Sequence, residues 1–231
     1  MDINVKGTIV PNDDKWIYDY LKYEAVCPKD VTNIISEANG QPLDIYINSP
    51  GGDIGAGSEI YAALESYRGE VNIHVVGYAC SSASVIACAG HSDMVRTGLF
   101  MYHNVSGGVR GDYHVMDKSS RILRTANEAI AAAYVAKTGK HMDELLEEMD
   151  AETWLTAEEA VNMGFIDSIA ENKNLKLAAS ASGMLPQKVL DQIRNTVKNP
   201  QSKSARADII MPELETLKAK LNYLKLGGKT K

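Results

Sequence analysis

The chain has 231 residues, of which 45% are hydrophobic and 23% charged, values typical of a soluble globular protein with one full core. No apolar run approaches the roughly 20 residues that a membrane span needs. The first ten residues lack a basic stretch followed by an apolar one, so no signal peptide is expected. The three cysteines, Cys27, Cys80 and Cys88, have no metal-ligand spacing, which predicts free thiols, a cytoplasmic location and no metal site.

The net charge of −6 is unevenly distributed along the chain. Residues 173–231 contain 12 Lys or Arg against 4 Asp or Glu, a net +8, so residues 1–172 carry −14. This asymmetry predicts two units, an acidic domain (1–172) and a basic, largely helical C-terminal extension (173–231) with a short leucine stripe from Leu214 to Leu224. The acidic domain would repel phosphate, which argues against binding to nucleic acid.

In chain order, the predicted elements of the acidic domain alternate between strands and helices. Hydrophobic alternation predicts strands at residues 3–10, 43–47, 71–76, 93–95 and 99–102. Helical spacing and capping signals predict helices at residues 30–38, 54–67, 81–89, 113–137, 142–149 and 157–163. This order indicates an α/β fold, and such folds place their sites at strand ends.

Three segments at predicted strand ends carry candidate chemistry. Asn48-Ser49-Pro50-Gly51-Gly52 breaks the second strand sharply, and its glycine N–H groups can form an anion or oxyanion site or simply a turn. Ser81 follows the third strand among small residues, as a nucleophile whose oxyanion meets the N–H of Ser82, or as a helix N-cap. His103 follows the last strand, as a general base or a structural histidine. Cys80 is a rival nucleophile or a small buried residue.

Taken together, these segments resemble the Clp protease proteolytic subunit family. The resemblance covers roughly residues 3–170. It rests on NSPGG (48–52), on the serine of GYACSSAS (77–84) 29 residues after Gly52, on MYHN (101–104), on WLTAEEAV (154–161) and on GFID (164–167). It implies a ClpP/crotonase-like fold of repeated ββα units, with residues 1–172 as the protease domain.

The resemblance also implies a role for each residue that matches the family's motifs. It makes Ser81 the nucleophile and His103 its base, with the N–H groups of Gly52 and Ser82 as the oxyanion hole. The family's catalytic acid matches Glu152, two residues before an aromatic residue, and Asp150 is the alternative. Either carboxylate can hold the imidazole tautomer and stabilise the imidazolium. No metal or other cofactor is expected.

The family further implies protein or peptide substrates and a homo-oligomer of stacked heptameric rings around a chamber, with the helix at 113–137 meshing between rings. Its members dock an ATP-driven AAA+ unfoldase through an N-terminal segment. Here the first strand begins almost at Met1, which leaves use of an unfoldase open. The extension and MDAETWLTAEEA (149–160) resemble the phage- and prophage-encoded subgroup, which implies processing of scaffold or capsid proteins during head assembly.

Two other functions stay open on the sequence. A crotonase-type acyl-coenzyme A enzyme would use similar oxyanion glycines for hydration or isomerisation, without the pair of Ser81 and His103. A non-catalytic assembly protein would instead bind a partner through the leucine stripe of the extension. Covalent labelling of Ser81 separates the first from a protease, and deletion of residues 173–231 separates the second.

Overall fold

The computed structural model describes residues 1–171, 189–191 and 193. The first of these ranges forms the expected α/β fold, with eight strands and seven helices where the sequence predicted five strands and six helices. The strands are β1 (Asp2–Ile9), β2 (Ala25–Val26), β3 (Leu43–Gly52), β4 (Val71–Cys80), β5 (His91–Met94), β6 (Leu99–Tyr102), β7 (Thr153–Thr156) and β8 (Ser168–Ile169). The helices are α1 (Lys15–Leu21), α2 (Pro28–Ala38), α3 (Ile54–Glu65), α4 (Ser82–Ala87), α5 (Tyr113–Thr138), α6 (Met142–Asp150) and α7 (Ala157–Asn162).

Contacts divide the chain into two compact units, Met1–Met184 and Leu185–Lys231. In the second unit, residues 189–191 and 193 are helical. The predicted leucine stripe from Leu214 to Leu224 lies outside the described residues. The assignment of residues 173–231 to a separate extension stays a prediction. Among the residues that the structure describes, no helix has both the length and the apolar character to cross a bilayer.

The sheet is parallel along its main path, with strand order β2-β1-β3-β4-β5-β8. Along one edge, the first half of β4 pairs with β5, and its last residues, Tyr78–Cys80, pair in parallel with β6. The short strand β7 then runs antiparallel to β6. Because β4 and β6 are parallel, their carboxyl ends lie side by side.

The strand β3 does not stop at residue 47 as the sequence predicted, but continues through the glycines to Gly52. Its pairing with β4 shifts register between Ile47 and Ser49, where ladder bonds are lost. Side chains replace them, because Asn48 Oδ1 accepts from the N–H of Tyr78 (3.0 Å) and Ser49 Oγ donates to the carbonyl of Gly7 (2.6 Å). These side-chain bonds satisfy the backbone and let the strand bend without breaking.

An aromatic cluster ties β6 to the long helix α5. The rings of Phe100 and Tyr102 on β6, Tyr134 on α5 and Phe165 after α7 pack with centroids 4.7–6.2 Å apart. All four side chains are fully buried. The Tyr102 hydroxyl also donates to Glu148 Oε2 on α6 (2.7 Å). The cluster therefore fixes the end of β6, and so the start of the segment that begins at His103.

Candidate active site

Ser81 occupies a strained turn between β4 and α4. Its backbone has φ 55° and ψ −127°, a conformation that costs a non-glycine residue about 1–3 kcal/mol and concentrates at functional sites. The turn is held on both sides, because the Ser81 N–H donates to the carbonyl of Met101 (2.8 Å) and the Ser81 carbonyl accepts from the N–H and hydroxyl of Ser84. A serine on a sharp strand-to-helix turn has its hydroxyl lifted out of the sheet, as in a nucleophile elbow.

Gly51 leaves the space that this turn occupies. With φ +89°, it would place a Cβ 2.5 Å from the carbonyl oxygen of Cys80 and 2.7 Å from Cβ of Ser81. A side chain of any size at this position would therefore displace the serine. Sequence reasoning singled out Gly52 and missed this role of Gly51, for which the doubled glycine was the available signal.

The backbone groups predicted as an oxyanion hole lie in the same region. Ser82 is the first residue of α4, so its N–H has no acceptor within the helix. The Cβ position of Gly51 is 3.0 Å from that nitrogen, which places the NSPGG segment directly against the start of α4. Gly52 follows and pairs with Ile9 of β1, whose carbonyl oxygen lies 2.0 Å from where a Cβ of Gly52 would be. Gly52 is thus as sterically confined as Gly51.

His103 lies beside Ser81, with Nε2 2.9 Å from Ser81 Oγ. The strand register produces this contact, because Cys80 of β4 pairs with Met101 of β6. Ser81 directly follows Cys80, and His103 is two residues after Met101, just beyond the end of β6. Both side chains are half-buried, so a substrate can still reach them. At this distance the imidazole can accept the hydroxyl proton.

The structure places the two candidate carboxylates differently. The antiparallel register of β6 and β7 ends at the pair Tyr102 and Thr153, and its continuation by one position would set Glu152 opposite His103. Its side chain, however, accepts a hydrogen bond from the Trp154 indole (3.1 Å). The Asp150 carboxylate accepts one from the Asn104 amide (2.6 Å). Within residues 1–171, neither carboxylate bonds to His103, whose one hydrogen bond is to Ser81.

Glu152 has a second unusual property, a backbone φ of 52°. A glutamate in this left-handed region is strained, and such strain persists only where the surrounding structure imposes it. The Glu152 N–H donates to the Met149 carbonyl at the end of α6 (3.2 Å), and the next residue enters β7. The tight connection from α6 to β7 therefore imposes this backbone conformation on Glu152, directly before the last register pair of β7.

Cys80 is poorly suited to replace Ser81 as the nucleophile. Its side chain is buried, and this burial raises the pKa of the thiol to about 11. The reactive form of cysteine is the thiolate, which is scarce at neutral pH for such a group. Burial likewise raises the pKa of Cys88, to about 12, and that of Cys27.

None of the other four histidines, all in the first unit, forms a hydrogen bond with Ser81. His74 Nδ1 lies 3.0 Å from the Asp93 carboxylate, and this hydrogen bond raises the pKa of His74 despite partial burial. His91 lies 3.3 Å from Asp167. Among the described residues, no group of three or more His, Cys, Asp or Glu side chains is arranged to hold a metal ion.

Comparison with known proteins gives concordant matches. Residues 21–173 match the profile of the family described as Clp protease. The ATP-dependent Clp protease proteolytic subunit 1 of Salinibacter ruber (strain DSM 13855 / M31) is 33% identical over 144 residues. The aligned region covers 61% of this chain and 61% of that protein, so the chain matches less than two thirds of its relative's length.

Proposed function

This chain belongs to the Clp protease family, and we propose that it is a serine endopeptidase. The observation that carries the proposal is the 2.9 Å contact between His103 Nε2 and Ser81 Oγ at a strained strand-to-helix turn. The relative from Salinibacter ruber bears the name of a proteolytic subunit, which supports the same class of reaction.

The proposed reaction is acyl transfer to water. Ser81 Oγ attacks the peptide carbonyl carbon while His103 Nε2 takes its proton, and the N–H groups of Gly52 and Ser82 stabilise the oxyanion. His103 then gives the proton to the leaving amine, which departs and leaves an ester on Ser81. Water, deprotonated by His103, attacks the ester and releases the acid product, restoring the serine hydroxyl.

Glu152 is the proposed third member of the triad. Its position opposite His103 on continuation of the β6–β7 register supports this role, although its carboxylate is bonded to Trp154. Side-chain rotation away from the indole would direct the carboxylate towards His103 Nδ1. There it would fix the tautomer that presents Nε2 to the serine.

An oligomer with enclosed active sites is the proposed working form, as stacked heptameric rings. The helix α5 supports it, because its buried residues begin only at Ile130 while its first half carries exposed apolar side chains. These are Tyr113 (69% exposed), Val115, Met116 and Ile122 (58%). Exposed apolar side chains on one helix are typical of a protein–protein interface, and we propose that a second copy of the chain packs against them.

The proposed substrates are proteins of a phage head. This refinement rests on the similarity of the MDAETWLTAEEA segment and the basic extension to the phage- and prophage-encoded subgroup. The scaffold or capsid precursor would be cleaved within the assembly, and use of an AAA+ unfoldase stays an open part of the proposal.

The first test is labelling by a fluorophosphonate, read by intact mass. The wild type should gain one adduct, and Ser81→Ala should gain none. Cys80→Ala should be labelled like the wild type, because the Cys80 thiol of the wild type is buried and protonated and so does not react. Labelling of Ser81→Ala, or its absence from the wild type, would contradict the peptidase and favour the acyl-coenzyme A or assembly-protein alternatives.

The second test is sedimentation velocity of the full chain. The wild type should sediment as a multi-subunit assembly, and Ile122→Glu should shift it to smaller species by placing a charge on the proposed contact surface. Asn33→Glu, on the exposed face of α2, is the matched control and should leave the assembly unchanged. A wild-type chain that sediments as a monomer at micromolar concentration would rule the assembly out.

The third test mixes the protein with the scaffold and capsid precursors encoded by the same phage or prophage. Discrete cleavage products should appear with the wild type and not with Ser81→Ala. Intact precursors, together with a labelled Ser81, would show a peptidase with other substrates.

A further inference from the structure

The segment that follows His103 is held by side chains rather than by regular structure. The strand β6 ends at Tyr102, and the next element, α5, begins at Tyr113. Directly after His103, the N–H of Val105 donates to Asn127 Oδ1 on α5 (2.7 Å). Asn127 Nδ2 donates to Asn104 Oδ1 (2.7 Å), and Asn104 Nδ2 donates to Asp150 Oδ1 at the end of α6 (2.6 Å).

The order of donors and acceptors along these three hydrogen bonds is fixed by the groups at the two ends of the series. A backbone N–H can only donate, so it faces the oxygen of Asn127 and turns the nitrogen of that amide towards Asn104. Asn104 must then present its oxygen to Asn127, which leaves its nitrogen facing Asp150. An ionised carboxylate only accepts, and so completes the series.

We propose that Asn127, Asn104 and Asp150 form an amide relay that positions His103 against Ser81, an inference that rests on the proposed peptidase function. None of the three would touch the substrate. They act through the backbone, because the relay secures the two residues after His103 while the buried Tyr102 secures the residue before it. The base is thereby fixed from both sides, on a chain segment that would otherwise move freely.

The relay also separates the roles of the two acidic residues. The Asp150 oxygen that bonds to Asn104 lies on the exposed end of α6, where it anchors the last amide. Glu152 occupies the position opposite His103 on continuation of the β6–β7 register. Asp150 is therefore a positioning residue, and the role of triad acid falls to Glu152.

The expected loss of labelling rate in each variant is larger where the hydrogen bond that it removes is more buried. The bonds made by Asn127 are partly buried, whereas that of Asp150 is exposed and competes with water. A misplaced base costs on the order of 10²-fold in rate, so Asn127→Ala should slow fluorophosphonate labelling by roughly ten- to a hundredfold. Asp150→Ala and Asp150→Asn should each lose less than about tenfold, against about 10⁴-fold if Asp150 oriented the base as the triad acid.

Reversing the relay gives a sharper variant pair. In Asn127→Asp, the new carboxylate still accepts from the Val105 N–H, but Asn104 must turn its nitrogen towards it and its oxygen towards Asp150. The two oxygens then repel. Adding Asp150→Asn supplies a donor at that end, which restores three bonds with the same net charge. The Val105 N–H still donates to residue 127, and the two bonds of Asn104 run in the opposite direction. Labelling should therefore fall about tenfold in N127D and recover to within about threefold of the wild type in N127D/D150N.

The experiment combines labelling rates with hydrogen exchange of the peptide that contains Val105, using Asn33→Ala on α2 as the control. Asn127→Ala should speed exchange at Val105 and slow labelling, and Asn33→Ala should change neither. Equal labelling of Asn127→Ala and the control, or failure of the double variant to recover, would overturn the relay while the peptidase stands. Absence of labelling in the wild type would contradict the peptidase itself, and the relay's role with it.

Discussion

The strained backbone of Ser81 governs the geometry of the whole site. A residue with φ 55° at the junction of β4 and α4 needs support on every side, and the structure supplies it from Met101, Ser84 and the vacant Cβ position of Gly51. The glycine pair and the bend in β3 leave the space that this turn requires. Without them the serine would relax into an ordinary N-cap, with its hydroxyl directed at its own helix.

Strand register then assembles the other groups around that serine. The parallel pairing of β4 with β6 brings His103 to Ser81, and the antiparallel pairing of β6 with β7 ends at Tyr102 and Thr153, the neighbours of His103 and Glu152. The contact between Ser81 and His103 thus follows from backbone pairing. The side-chain networks from α5 and α6 hold the chain beyond Tyr102, where backbone pairing ends.

The sequence predicted the alternation of strands and helices well, because buried parallel strands and capped helices leave strong local patterns. It also marked Ser81 and His103 as residues at neighbouring strand ends. It failed at Asn48–Gly52, where a turn-like composition hides a strand whose lost ladder bonds are replaced by the side chains of Asn48 and Ser49. It also missed β7, because only Leu155 of its four residues is buried, and the apolar run that marks β6 is absent there. The Glu152 carboxylate accepts a hydrogen bond from the Trp154 indole and not from His103, and no local sequence pattern reveals this choice of partner.

The most direct measurement is a crystal structure of the fluorophosphonate adduct. We expect phosphorus bonded to Ser81 Oγ, with one phosphonyl oxygen about 2.7–3.1 Å from the backbone nitrogens of both Gly52 and Ser82. Ser81 should keep its positive φ, with His103 Nε2 still beside Oγ. An oxygen directed away from both nitrogens, or a serine with an ordinary helical backbone, would contradict the account of a strained nucleophile facing an oxyanion hole.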